Sequence, residues 1–193
     1  MSAHDRNFLE AVLEGAEAAI DFATESEAVK SVPIIGTAIK LVKGFDDLRS
    51  KALQAKLHKF ATEPSLVHSL ETRRFLSTVK EDEHYQKIGE TLFLTLDKVT
   101  DLQKPVVLAQ VFAAYLDGVV NAKTLLLLAH AIDTAFISDL EQFLDGRNDQ
   151  VDDPEAGIRL LTTGLLQVVE FKLTPLGRNL RAAVQHARAR HAP

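Results

Sequence analysis

The stretch YQKIGETLFLTLDKVTDLQKPVVLAQVFAAYLDG, Tyr85 to Gly118, decides the fold class. Its first half repeats apolar residues at Tyr85, Ile88, Leu92, Leu96 and Val99, with Phe93 widening the face. That spacing of three and four predicts an amphipathic helix. Asp101 then stands where a cap belongs, and Pro105 falls in the first turn of a second helix, before a backbone donor needs a helical acceptor. Val107, Leu108, Val111, Phe112 and Tyr115 carry that helix to a stop at Asp117-Gly118. Asn121 opens a third helix through Leu125, Leu128, Ala129, Ile132, Phe136, Leu140 and Phe143, ending at Gly146. Residues 85 to 144 therefore predict three consecutive packed helices.

The same periodicity extends toward the N-terminus. From Phe8 to Phe22, apolar residues recur at helical spacing while Glu10, Glu14, Glu17 and Asp21 line another face. This acidic stripe reads as a solvated face or as a docking surface for a basic protein partner. Pro33 suits a helix start, with Ile34, Ala38, Leu41, Phe45, Leu48 and Ala52 following to about residue 60, and Gly44 is a potential break. Pro64 and Ser65 open a further helix through Leu66, Leu70, Phe75 and Val79, before the polar run KEDEH at 80 to 84.

The segment SVPIIGTAIKLVKGF, Ser31 to Phe45, contains Lys40 and Lys43 but no acid. Its apolar residues fit a bundle helix, and Ile34, Ile35, Ile39, Lys40, Lys43 and Phe45 also fit a peripheral, lipid-facing surface. It is too short to span a bilayer. The longest charge-free run, Pro105 to Leu116, has twelve residues, against about 20 for a spanning helix. The start, MSAHDRNFLEAVLEG, has neither the basic nor the apolar region of a signal peptide.

With 193 residues and 46% apolar content the chain fills a real core, and with 6% aromatics and no Trp that core is built from Leu, Val, Ile and Ala. The expectation is an all-α fold. The absence of Cys removes disulfides and thiolate metal sites and is compatible with a cytoplasmic location, including the inner face of the membrane. A net charge of −5 argues against a surface generally coated for nucleic acid, though a local basic patch remains open.

Toward the C-terminus, DGRNDQVDD at 145 to 153 is polar and without periodicity, marking a linker between a helical body, 1 to 144, and a C-terminal segment, 154 to 193. Its acids lack the alternating ligands, central glycine and distal glutamate of a calcium loop. Asp153 caps and Pro154 starts a helix ending at Gly164; the β-prone VVEFKL follows; Thr174 and Pro175 open the last helix.

The run IRLLTTGLLQVVEFKLTPLGRNLRAAV resembles the end of a bacterial winged-helix domain, in which a helix closes on Gly-Leu-Leu and a β-wing returns through Leu-Thr-Pro-Leu-Gly into a terminal helix. The resemblance covers about the last 40 residues. Together with the VPIIG segment and the helical body, it is similar to uncharacterised bacterial helical proteins. It implies a small winged-helix-like element with a short β segment, and no catalytic residues. The sequence departs from a DNA-reading version, because VVEFK lacks wing-turn residues and Asp152, Asp153 and Glu155 precede the single Arg159.

His58, His68, His84 and His130 are scattered, with no HExxH, and no GxSxG or phosphate-binding glycine loop occurs. No catalytic residue, metal or cofactor is expected. Lys172, Arg178, Arg181, Arg188 and Arg190 form a basic patch, a solvated helix end or a surface for nucleic acid or anionic lipid. The preferred expectation is a non-enzymatic adaptor or regulator that binds another protein or a second copy of itself. A DNA-binding winged-helix regulator and a peripheral membrane-associated helical effector are the alternatives.

Overall fold

The computed structural model describes residues 48–72, 83–146, 151, 153–167 and 172–189. The expected helices over 8–22 and from Pro33 to residue 47 lie outside these residues. Eight helices are described: α1 Leu48–Ala61, α2 Pro64–Thr72, α3 Glu83–Lys98, α4 Lys104–Leu116, α5 Ala122–Thr134, α6 Ile137–Asp145, α7 Pro154–Leu161 and α8 Pro175–Ala189. The described part of the chain is all-α.

The architecture is set by α4. Its charge-free run buries Leu108, Ala109, Val111, Phe112, Ala113 and Ala114 almost completely, so the helix is apolar on nearly every side. A helix of that kind belongs in the middle of a bundle. Accordingly α1, α2, α5 and α8 all pack against it. At its start the Asp101 carboxylate accepts from the backbone N–H of Gln103 and Lys104 at 2.9 and 2.8 Å. At its end Val119 N–H reaches Ala114 O and Gly118 N–H reaches Tyr115 O, the paired hydrogen bonds of a Schellman stop.

Burial on α3 follows the expected register, with Ile88, Leu92, Leu96 and then Val99 inside. The third expected helix is two. Ala135 and Phe136 are extended (φ −68°, ψ 148° and φ −71°, ψ 140°), separating α5 from α6 without a glycine or proline. The carbonyls freed at the break find other partners. Had the helix continued, Asp133 O would accept from Ile137 N–H; instead it accepts the Lys104 ammonium at 2.9 Å. The Thr134 hydroxyl also donates back to His130 O at 3.0 Å, an alternative partner that weakens a helix end.

The same device recurs. Lys56 of α1 donates to Asp97 O in the last turn of α3 at 2.9 Å, and Arg181 of α8 donates to Phe143 O in the last turn of α6 at 2.6 Å. Three helix C-termini are thus satisfied by cations from other helices, which meets both the orphan carbonyls and the negative end of the dipole.

The C-terminal segment shares one core with the rest: Leu160, Leu165, Leu173, Leu180 and Val184 belong to the cluster that contains Phe60 and Phe112. Asp153 caps α7 by accepting from Glu155 N–H at 2.9 Å, with Pro154 in the first turn. Between α7 and α8, Leu166 and Leu173 form an antiparallel bridge, the β pairing present among the described residues. Thr174 then ties the crossing: its hydroxyl donates to Gly164 O at 2.6 Å and accepts from Gly177 N–H at 3.1 Å. No helix among the described residues is long and apolar enough to cross a membrane.

Candidate functional site

The α5–α6 break has a consequence on the surface. It leaves Phe136 outside either helix with its side chain 64% exposed. One turn later Asp139 points inward and is 2% exposed. An ionised carboxylate there needs a partner, because burial without one is costly. Arg159 of α7 supplies it in fork geometry, Nε to Oδ2 at 2.6 Å and Nη2 to Oδ1 at 2.8 Å. The same guanidinium stands 6.0 Å from the centroid of the Phe136 ring, within cation–π range. Ile158, the preceding residue on α7, is 59% exposed. The α6–α7 corner therefore presents an exposed aromatic ring beside an arginine whose orientation is fixed from below.

The ion pair sets the titration of Asp139. The Arg159 hydrogen bonds hold its carboxyl below the ordinary range; burial opposes this, and the Arg159 charge and Ser138 hydroxyl add to the lowering. A carboxyl lowered in the folded state contributes stability above its unfolded pKa of about 3.9 and loses it as pH falls through the folded value. In Arg159→Met the main lowering cause is gone while burial remains, so the carboxyl rises. The expected result is a Tm several degrees below wild type at pH 7, with the gap starting to narrow as the pH falls through the raised value of the variant, above about 4, and closing through the lowered wild-type value. A gap that stays constant from neutral to acid pH in thermal melts would show that the pair is not the source.

The basic residues read from the sequence are placed differently from one another. Lys172 is exposed, and Arg178 is exposed with its guanidinium on Leu173 O at 3.0 Å. Arg181 is buried, donating to Phe143 O, with its guanidinium carbon 4.7 Å from the Phe143 ring centroid. Arg188 pairs with Asp145 at 3.0 Å. Arg181 and Arg188 thus converge on the last turn of α6, where a helix terminus attracts cations. Arg190 lies outside the described residues, as do Glu10, Glu14, Glu17, Asp21 and the 34–45 set of Ile34, Ile35, Ile39, Lys40, Lys43 and Phe45.

Among the histidines, His68 and His130 are exposed, and burial, with Lys59 adding to it, lowers the pKa of His58 so that its ring is neutral at pH 7. His186 contacts Asp117 at 3.0 Å, and the buried Ser69 hydroxyl donates to the same carboxylate oxygen at 3.3 Å. Here the carboxylate sits between serine and histidine, whereas a nucleophilic triad needs the histidine in the middle. The contact joins α2, the end of α4 and α8. Among the described residues no group of three or more His, Cys, Asp or Glu is arranged to hold a metal ion.

The spacing puts Phe136 on the apolar face of one continuous helix, whereas the break exposes it, and the spacing singles out neither Asp139 nor Ile158. One signal was present: Asp139 lies four residues before Phe143, so an acid occupies the register of the core face, where it must be paired. In comparisons with known proteins, no family model matches the chain, and neither a curated protein nor a solved structure does.

Proposed function

We propose that this chain is a non-enzymatic adaptor or regulatory protein that docks another protein at the α6–α7 corner. The observation that carries this reading is the exposed Phe136 ring held beside Arg159, itself locked to the buried Asp139. Aromatic and arginine side chains dominate binding energy at protein interfaces, and a side chain already fixed in place loses little entropy on docking. A winged-helix-like 154–193 segment, with α7, the Leu166–Leu173 bridge and α8 as its parts, is the scaffold for that surface in this reading. The DNA-binding alternative draws less support. Arg181 and Arg188 are engaged with α6, and the first turn of α7 exposes Glu155.

The test is a photoreactive phenylalanine analogue introduced at position 136 and, as a control, at the exposed Leu94. A discrete protein adduct at 136 and none at 94 is the expected result. Because Phe136 is exposed and makes no side-chain cap at the start of α6, Phe136→Ala should change stability by no more than about 1 kcal/mol, the worth of an exposed cation–π contact. Loss of the adduct partner in pull-downs with that variant would then report docking and not unfolding. No protein adduct at 136, with binding of a random DNA duplex at physiological salt, would overturn the reading.

A further inference from the structure

The α5–α6 break stands where the local sequence favours a helix. From Ala122 to Asp145 there is neither glycine nor proline, so no backbone-breaking residue stops α5. Nor does a cap start α6, since its N-cap, Phe136, makes no side-chain cap hydrogen bond. Ile132 and Leu140 each lie four residues from Phe136 and are fully buried. A continuous helix would carry Phe136 on their face. The groups that meet the broken form come from elsewhere in the chain. Lys104, 6% exposed at the start of α4, places its ammonium on Asp133 O at 2.9 Å and 4.0 Å from the Asp101 carboxylate. On the other side of the break, Arg159 of α7 holds Asp139.

We propose that the α5–α6 junction is a two-state hinge, in which Lys104 holds a broken form that exposes Phe136 against a continuous helix that returns Phe136 to the face of Ile132 and Leu140. The two forms differ in the partners of a few groups. In the continuous helix Asp133 O accepts from Ile137 N–H and Thr134 O from Ser138 N–H. In the broken form the Lys104 ammonium takes Asp133 O, and the two amides open α6, where the first donors of a helix have no intrahelical acceptor. Local preference and tertiary contact pull this segment in opposite directions, the conflict that a bistable element needs. The consequence for docking rests on the reading above: a partner seated on Phe136 selects the broken form, and any population of the continuous form lowers its apparent affinity.

Amide hydrogen exchange at Ile137 and Ser138, followed by NMR on the full chain, reads the hinge. Lys104→Met removes the ammonium and keeps a side chain of similar length. Loss of a hydrogen bond from a charged group shifts a two-state equilibrium by about 10- to 100-fold. The expected result is that both amides exchange about two-fold or more slower than in wild type, as at least half of the molecules adopt the continuous helix. A lysine that merely stabilised the fold would give the opposite sign, because loosening speeds exchange. The second variant is Ile137→Pro. Proline suits the first position of α6, and Phe136 already has the backbone that precedes a proline (φ −71°, ψ 140°), so this change keeps the broken form and forbids the continuous one. In Lys104→Met/Ile137→Pro the slowing at Ser138 should vanish. Relaxation-dispersion NMR on the wild type should show exchange at 134–138 that Ile137→Pro abolishes, which decides the proposal if Lys104→Met does not fold. Unchanged or faster amide exchange in folded Lys104→Met, slowing that survives Ile137→Pro, or no dispersion in the wild type would overturn the hinge. Neither measurement involves a partner, so the cross-link at 136 decides the docking reading separately.

Discussion

Gly177→Ala is expected to destabilise the protein by about 3 kcal/mol, at the upper end of what overpacking a core usually costs. Gly177 lies in the first turn of α8, where the helix crosses the chain leaving α7. A Cβ there would collide with the Leu165 carbonyl oxygen and lie 3.1 Å from its carbon and 3.3 Å from Phe143 Cζ. The oxygen cannot retreat freely, because it accepts from Thr174 N–H at 3.0 Å and its neighbour Gly164 O accepts from the Thr174 hydroxyl. The two helices would have to part. Gly164→Ala is the instructive contrast. Its φ is +76°, and an added Cβ meets nothing closer than Leu176 Cδ2 at 3.8 Å. Only the left-handed backbone is penalised there, so about 1 to 2 kcal/mol is expected. Urea denaturation followed by helical circular dichroism separates the two; equal losses would mean that the crossing is looser than described.

Phe112→Ala should cost about 4 kcal/mol, the ordinary range for deleting a buried aromatic ring. The ring is 1% exposed at the middle of α4, with its centroid 6.1 Å from that of Phe60 on α1 and 5.9 Å from that of Tyr115. No neighbouring element can collapse into the space without leaving its own contacts, since α4 is held on several sides. Against a typical total of about 5 to 15 kcal/mol for a domain, the loss is a large share. Phe112→Leu, which restores most of the volume, should recover more than half of it. A denaturation midpoint for Phe112→Ala close to that of wild type would place the ring outside the cooperative core.

Most of the helix starts were legible because their signals are local. Asp101 with Pro105, Asn121, Asp153 with Pro154, and Thr174 with Pro175 each supply a side-chain acceptor or a preset φ within a few residues of the backbone they serve. The apolar registers of α3 and α4 were legible for the same reason: a period can be read without knowing what the face packs against. The α5–α6 break was not. Phe136, Leu140 and Phe143 keep helical spacing across it, and the group that meets the carbonyl at the break is Lys104, 29 residues from Asp133 in sequence. The candidate site follows from that break, so it was hidden with it.

The basic residues in and just before α8 teach a related point. Lys172, Arg178, Arg181 and Arg188 read as one patch along the chain, but helical geometry sends Arg181 inward to Phe143 O while Arg188 reaches Asp145. A count of charges does not reveal which of them are already spent on another helix.

By itself, then, the sequence determined the all-α class, the placement of most caps and the apolar registers of α3 and α4, because propensity, capping and periodicity act over one or two turns. The tertiary structure decided where α5 ends, which cations close which helix ends, and that Asp139 and Arg159 meet beneath an exposed Phe136. Those outcomes depend on groups 20 to 40 residues apart meeting at a carbonyl or carboxylate, and no local pattern records which groups meet.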